Sequence, residues 1–589
     1  MKKLKTIFSI SLILIITFAA FFPCLKNGFV NWDDDRYIIE NPVIQGLSAY
    51  NIKQIFTSSF VGNYQPVTML SYLFEYGFFK LDPFGYHLTN LILHLLNCLL
   101  IFWLIYMLSR RIPVALMTAI LFGIHPLHVE SVAWISERKD VLYALFFLAA
   151  VICYCYYLRD KETRRYYYLS LALFVLSLLS KAMAITLPVI LLLIDYYLRR
   201  KRDKSLFMDK IPFFILSFVF GAIALVSQYS IGAVRDESSF SFLNIIAVSG
   251  YSVIFYLNKI FMPVELSCLY PPPRQEDFFL LLLPCVIFII LLTAVILSAK
   301  YTRKIIFGSG FFLITILPVL QFIPIGETVV ADRYSYIPSL GIFYILAEGL
   351  FWLYSRKMKY PRFFQCVILA LLIWIAGFLM SLTWQRCLVW KDSLSLWSDV
   401  LKKYPDSATA YNNRGAGYLT KKEYAKAYDD LMTALKINQN YHEAYFNLGI
   451  LYNSRGDYGE AIKLINKTLQ MDPGYLKAYD MLAVIYGSRG KHSEVITICK
   501  KAIQIKRDHA QAYINLCGAY GNLGNFQEAI VYGKKAVAFS PGSALAHMNL
   551  SAAYFYAGEY DLAVKHCGNA IALGHEVSPE FLEELKDRI

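Results

Sequence analysis

Ala410-Tyr411-Asn412-Asn413-Arg414-Gly415-Ala416-Gly417-Tyr418 and, 34 residues on, Ala444-Tyr445-Phe446-Asn447-Leu448-Gly449-Ile450-Leu451-Tyr452 are two copies of one pattern. The leading alanine returns at Ala478, Ala512 and Ala546, and the closing tyrosine at Tyr486, Tyr520 and Tyr554. A second small-residue column runs Ala427, Ala461, Val495, Ala529, Ala563. A third is Gly456, Gly490, Gly524 and Gly558, with Lys422 in the first copy, and Pro405, Pro473 and Pro541 fill alternate places of a fourth. Four columns do not stay in register over five copies by accident. Small residues at two places per copy let two helices approach closely. The glycine ends the first helix in a left-handed turn, and the proline opens or stops a helix. Five helical hairpins are therefore expected over 407–574, with a capping helix at 575–589.

A 34-residue helical period is the tetratricopeptide pattern. One such hairpin cannot bury its apolar face alone, so neighbours stack into an α-solenoid with a concave groove that suits a peptide or protein segment. The alanine and glycine columns read as packing, as does most of the tyrosine column. Asn413, Asn447, Asn515 and Asn549 also recur, with Met481 interrupting. Their amides are candidates to clamp the backbone of a bound acceptor; the alternative is that each caps its own turn.

Ahead of the repeats the chain changes character. Of its 589 residues 57% are apolar, too many for an ordinary soluble protein. Apolar runs at 6–23, 86–108, 112–127, 140–158, 166–180, 183–198, 211–231, 278–298, 304–320, 337–354 and 363–384 read as eleven membrane spans. The net charge of +14 is dispersed in short clusters between these runs, which is a membrane pattern and not a nucleic-acid groove. Those clusters are Lys2–Lys5, Arg110–Arg111, Arg159–Arg165, Arg199–Lys210, Lys300–Lys304 and Arg356–Arg362. If the polar-laced stretch 242–262 stays in the interface, all six lie on the cytoplasmic face. The amino terminus is then inside and the repeats outside, as expected for a bacterial inner-membrane protein with a periplasmic array. The run after Lys2, Lys3 and Lys5 reads as an uncleaved first helix. Eleven cysteines without a CxxC pair give no disulfide framework. Zinc-ligand spacings, phosphate-binding loops and dinucleotide fingerprints are absent from the sequence.

On this topology the outer loops collect the chemistry. The first carries Asn31-Trp32-Asp33-Asp34-Asp35-Arg36; the next His125-Pro126-Leu127-His128-Val129-Glu130 and Glu137-Arg138-Lys139-Asp140. Further on come Ser180-Lys181, Gly326-Glu327-Thr328 and Ala331-Asp332-Arg333-Tyr334. Ionisable groups at span edges point to a functional site. Arg138, Lys181 and Arg333 suit the phosphate of a lipid-borne sugar donor. Asp33 or Asp34 suits the base that takes a proton from an acceptor hydroxyl. His125, His128, Glu130, Glu137, Asp140, Glu327 and Asp332 would support them. These residues establish no cofactor. A divalent metal held by the aspartates, or by the histidines with Glu130, is the competing reading.

These motifs, in this order and over nearly the whole chain, resemble the transmembrane and tetratricopeptide repeat-containing family. Its membrane half resembles the C-type glycosyltransferase fold of protein O-mannosyltransferases. The carrying residues are Phe29-Val30-Asn31-Trp32-Asp33-Asp34, His125-Pro126-x-His128-x-Glu130, Glu137-Arg138-Lys139-Asp140, Ser180-Lys181 and Ala331-Asp332-Arg333-Tyr334. The resemblance implies an all-α polytopic membrane domain over 1–384. It also implies mannose transfer from a polyprenyl-phosphate donor to Ser or Thr of a protein. A non-enzymatic membrane scaffold and a lipid-linked polysaccharide ligase are the alternatives. Between the halves, 385–406 places Leu388, Leu394, Leu396, Trp397 and Val400 at helical spacing. A docked connector helix is expected there, not a flexible tether.

Overall fold

The computed structural model describes residues 2–160, 164–201, 203–230, 232–233, 242–272, 278–323, 326, 328–356 and 360–588. Helices dominate, and among the described residues the only β-pairing is an isolated bridge between Phe60 and Asn63. The chain forms two compact units. The first comprises Met1–Ile39 and Ile55–Tyr404; the second comprises Glu40–Gln54 and Pro405–Ile589.

In the first unit, six described helices are long and apolar enough to cross a membrane: Lys3–Lys26, Pro83–Ser109, Ile135–Arg159, Lys204–Ser230, Asn244–Phe261 and Arg362–Val389. The stretch reserved for the interface is thus among them. The pair Ile112–Ile124 and Pro126–Ala133, bent by 53° at His125, would make a seventh. Proline explains the break: it supplies no N–H and pushes the preceding residue out of the helical region. His125 accordingly sits at ψ 130. The shorter apolar helices Ala182–Tyr197, Leu282–Ser298 and Ser339–Ser355 complete the set.

Packing inside the bundle uses small residues. A Cβ on Gly308 would lie 2.5 Å from the Gly341 carbonyl oxygen, and the Gly341 position is as tight in return. The helices Arg303–Ile316 and Ser339–Ser355 therefore cross backbone against backbone, which is how membrane helices gain contact without a hydrophobic driving force. The short helix Ser393–Lys403 is capped by the Asp392 side chain accepting from the Ser395 amide. It buries Leu396, Trp397 and Val400 completely.

In the second unit, ten helices from Ala408–Thr420 to Tyr560–Ala572 alternate as five hairpins, followed by Pro579–Lys586. The alanines 410, 444, 478, 512 and 546 are at most 1% exposed. The four column glycines have φ between +69° and +84°, and Lys422 takes the same turn at +59°. A side chain in that region costs roughly 1–2 kcal/mol, partly offset by the larger unfolded-state entropy of glycine. Lys422→Gly is therefore expected to raise the stability of the repeats by about 0.5–1 kcal/mol. Thermal unfolding would read this directly, and an unchanged or lower midpoint contradicts it.

The hairpins are joined by polar contacts as well. Asn447 donates to Asn412 at 2.9 Å and Asn549 to the Ile514 carbonyl at 3.3 Å, each reaching back one repeat. Asn515 accepts from Gln511 at 3.0 Å, and Asn413 from Asn412 at 3.4 Å. Residues Glu40–Gln54 complete this unit. Glu40 pairs with Lys477 at 2.8 Å, the Gln45 carbonyl lies against Gly542, and Ile44 is fully buried.

Candidate functional site

The first loop is held from both sides within the membrane unit. Asp34 is buried and both carboxylate oxygens are occupied. Oδ2 accepts from the Val30 amide at 2.9 Å; Oδ1 accepts from the Ser136 amide at 3.0 Å and its hydroxyl at 2.5 Å. The loop is thereby fastened to the turn that precedes the helix Arg138–Arg159. On the other side Gly28 donates to the Lys391 carbonyl at 2.8 Å and the Asn31 amide to Ser393 Oγ at 2.9 Å. Trp397 Nε1 donates to Asn31 Oδ1 at 2.8 Å, and Trp32 packs edge-on against Trp397.

Asp33 is placed differently from its neighbour. It is partly exposed, and its carboxylate has no hydrogen-bond partner among the described residues. Burial pushes its pKa up to about 6, against the pull of the Lys139 and Arg36 charges. Burial also raises Asp34, to about 7, in spite of its three hydrogen bonds.

Beside this loop lies a compact ion network centred on Glu137. Lys181 reaches Glu137 at 2.7 Å and Asp140 at 2.6 Å; Lys139 reaches Glu137 at 3.2 Å. Arg333 pairs with Glu130 at 2.6 Å and approaches Glu137 at 3.7 Å, while its amide donates to Glu130 at 3.0 Å. The side chains of Lys139, Lys181 and Arg333 keep 11%, 14% and 13% of their surface open, whereas those of Glu130, Glu137 and Asp140 keep 1% or less. The accessible face of the network is therefore cationic, with the carboxylates behind it. Trp134 and Tyr334 wall it: the Arg333 guanidinium lies 5.5 Å from one ring and 4.9 Å from the other.

Four separate sequence motifs thus meet: Glu130; Glu137 with Asp140; Lys181; and Arg333. Asp332 sits immediately behind, accepting from Tyr270 at 2.7 Å, its pKa raised to about 7 by burial and then by the Glu130 charge. Arg138 does not present itself with them. It is fully buried, donating to Asn90 at 2.8 Å, to the Tyr86 carbonyl at 2.9 Å and to Glu75 in an ion pair, with its guanidinium over Tyr72. Lys139, which sequence reasoning passed over in favour of Arg138, supplies a cation at the network instead. Glu327 lies outside the described residues.

The histidines are bonded within the bundle. His125 Nε2 meets the Ile260 carbonyl at 3.0 Å; His128 bridges the Phe122 carbonyl at 2.7 Å and Ser339 Oγ at 3.0 Å. No group of three or more metal-ligating side chains occurs among the described residues.

Known proteins resemble parts of the chain. Tetratricopeptide repeat families match residues 406–473, 476–509 and 510–542. Protein O-mannosyl-transferase F38B6.6 of Caenorhabditis elegans is 25% identical over 455 residues, covering 73% of this chain and 63% of the relative. Protein O-mannosyl-transferase Tmtc3 of Drosophila melanogaster is 24% identical over 452 residues, covering 64% of this chain and 48% of the relative. The chain thus spans between about half and two thirds of the length of these two relatives. Among solved structures, the crystal structure of MamA protein is 25% identical over 29% of this chain and 98% of that one, with a TM-score of 0.26. Along most of its length, the chain is similar to the transmembrane and tetratricopeptide repeat-containing protein O-mannosyl-transferases, and it carries tetratricopeptide repeats of its own.

Proposed function

We propose that this chain is an integral-membrane glycosyltransferase that moves a sugar from a polyprenyl-phosphate donor to hydroxyl groups of a protein. Mannose is the sugar suggested by the names of its relatives. The observation that carries the reading is the unpartnered Asp33 carboxylate beside a network whose open face is cationic. In the reaction the acceptor oxygen bonds to the anomeric carbon as the bond from that carbon to the phosphate oxygen breaks. Asp33 takes the hydroxyl proton. Lys139, Lys181 and Arg333 stabilise the charge gathering on the departing phosphate. Asp34 fixes the loop so that Asp33 is presented in one geometry. The tetratricopeptide repeats bind the protein acceptor or a partner.

A base with a pKa of about 6 must be deprotonated to act. Transfer is therefore expected to rise with pH through about 6, as Asp33 ionises, and to level off only above about 7, where Asp34 has ionised as well. Membranes containing the full chain, supplied with polyprenyl-phosphate mannose and a Ser/Thr-containing protein, would show this by mass spectrometry of the acceptor. Unmodified acceptor at every pH, together with altered surface polysaccharide in cells lacking the chain, would favour the polysaccharide ligase. Partner recruitment that ignores Asp33→Asn, without any sugar transfer, would favour the scaffold.

A further inference from the structure

Three arginines surround a pocket of about 280 Å³ at the other end of the bundle. Its lining is Arg110, Arg159 and Arg200 with the apolar Met107, Leu108, Cys155, Leu158 and Leu198, and no carboxylate takes part. Three helices stop there together: Pro83–Ser109, Arg138–Arg159 and Leu187–Tyr197. The helix Arg138–Arg159 has 22 residues and hence a length of roughly 33 Å. The Glu137 network lies at one end of it and Arg159 at the other, so the pocket is about one membrane thickness from the candidate site.

The arginines are held in distinct ways. Arg200 is fixed by Asp209 at 2.5 Å, Ser205 at 2.8 Å, Tyr154 at 3.0 Å and Asp195 at 3.4 Å, all through its terminal nitrogens. With 7% of its side chain exposed, it keeps a buried Nε that has no hydrogen-bond partner. Arg159 donates to the Met107 carbonyl at the long distance of 3.5 Å and lies over Tyr156. Arg110 takes the left-handed conformation at φ 59, ending the first of the three helices. Neither Arg110 nor Arg159 joins an ion pair among the described residues. One anchored guanidinium and two that join no ion pair among the described residues, over an apolar floor, are more charge than the ends of three helices require. Basic pockets between helix ends at a membrane face match anionic lipid headgroups.

We propose that this pocket seats the phosphate of an anionic phospholipid from the leaflet opposite the candidate site. The three arginines would take the phosphate oxygens, and Leu158, Leu198 and Met107 the first methylenes of the acyl chains. The proposal rests on the reading of the helices as spans and is independent of the sugar chemistry.

The test uses purified full-length chain in detergent, titrated with phosphatidylglycerol or phosphatidylcholine and read by native mass spectrometry. Phosphatidylglycerol adducts should persist where phosphatidylcholine adducts do not. The Arg110→Gln/Arg159→Gln double variant should weaken them roughly tenfold or more. Leu158→Trp, which fills the pocket without touching its charge, should weaken them as well. Both changes are at half-exposed or exposed positions, and an unchanged unfolding midpoint would show that the bundle is intact. Excess inorganic phosphate should not displace the lipid. Equal retention by parent and both variants, or equal retention of the two lipids, would overturn the proposal and leave the arginines as neutralisers of helix ends. Displacement by inorganic phosphate alone would also overturn it, in favour of a soluble anion.

Discussion

Asp33→Asn is expected to abolish transfer and leave the fold intact, whereas Asp34→Asn is expected to loosen the first loop. The amide at 33 keeps size and polarity but has no basicity, and general-base catalysis is worth about 10²–10⁴-fold. Since Asp33 engages no hydrogen-bond donor, its replacement leaves nothing behind unsatisfied. Asp34 accepts from Val30 on one oxygen and twice from Ser136 on the other. An amide there must aim its NH2 at one of those donors. That loss, with a buried donor left over, costs about 1–3 kcal/mol. The pair is separated by measuring sugar transfer and thermal unfolding on both variants. An active Asp33→Asn enzyme, or an Asp34→Asn enzyme that unfolds like the parent yet is dead, would reverse the assignment of roles.

Arg138→Ala is expected to cost about 3–5 kcal/mol of stability, the penalty for breaking a buried ion pair by removing one partner. The reason is that Glu75 would remain inside the bundle without its cation. Adding Glu75→Gln to the Arg138→Ala background should restore part of the loss. Lys181→Ala should also lower stability, because buried Asp140 would lose its cation, but in addition it should weaken donor affinity roughly tenfold or more, since Lys181 keeps an open face. Unfolding midpoints in detergent, paired with binding of a polyprenyl-phosphate analogue, distinguish the two. Normal stability with lost donor binding in Arg138→Ala would return that arginine to the phosphate.

The repeats could be read from sequence because each constraint on them is local. A 34-residue period carries the alanine packing and the glycine turn within a single hairpin, and even Lys422 falls into the turn its column assigns. The membrane half was legible as motifs but not as geometry. Glu130, Glu137, Asp140, Lys181 and Arg333 were visible as span-edge charges. Which neighbour of Glu137 turns towards the network and which into the bundle depends on the exact phase of a helix start. That phase is set by the turn Ile135–Glu137, itself pinned by Asp34 from 102 residues away. Arg138 and Lys139 are interchangeable to a sequence reading, just as Asp33 and Asp34 are. Helix length is a weak guide here: the apolar run 183–198 contains an α-helix of only eleven residues, Leu187–Tyr197, whose Leu187, Ile190, Leu191 and Ile194 are buried.

The second unit is assembled from two stretches far apart in the chain. Gln54 leaves the translation machinery about 350 residues before Pro405 does, which at roughly 5–20 residues per second is a delay of some 20–70 s. Throughout that interval Glu40 lacks its partner Lys477, and Gln45 lacks Gly542. The repeat unit therefore has a built-in order of events: its earliest-made strip waits, solvated or guarded by a chaperone, and is sealed only after the array itself exists. A chain whose synthesis stalls before Pro405 carries that strip without the residues that complete its unit.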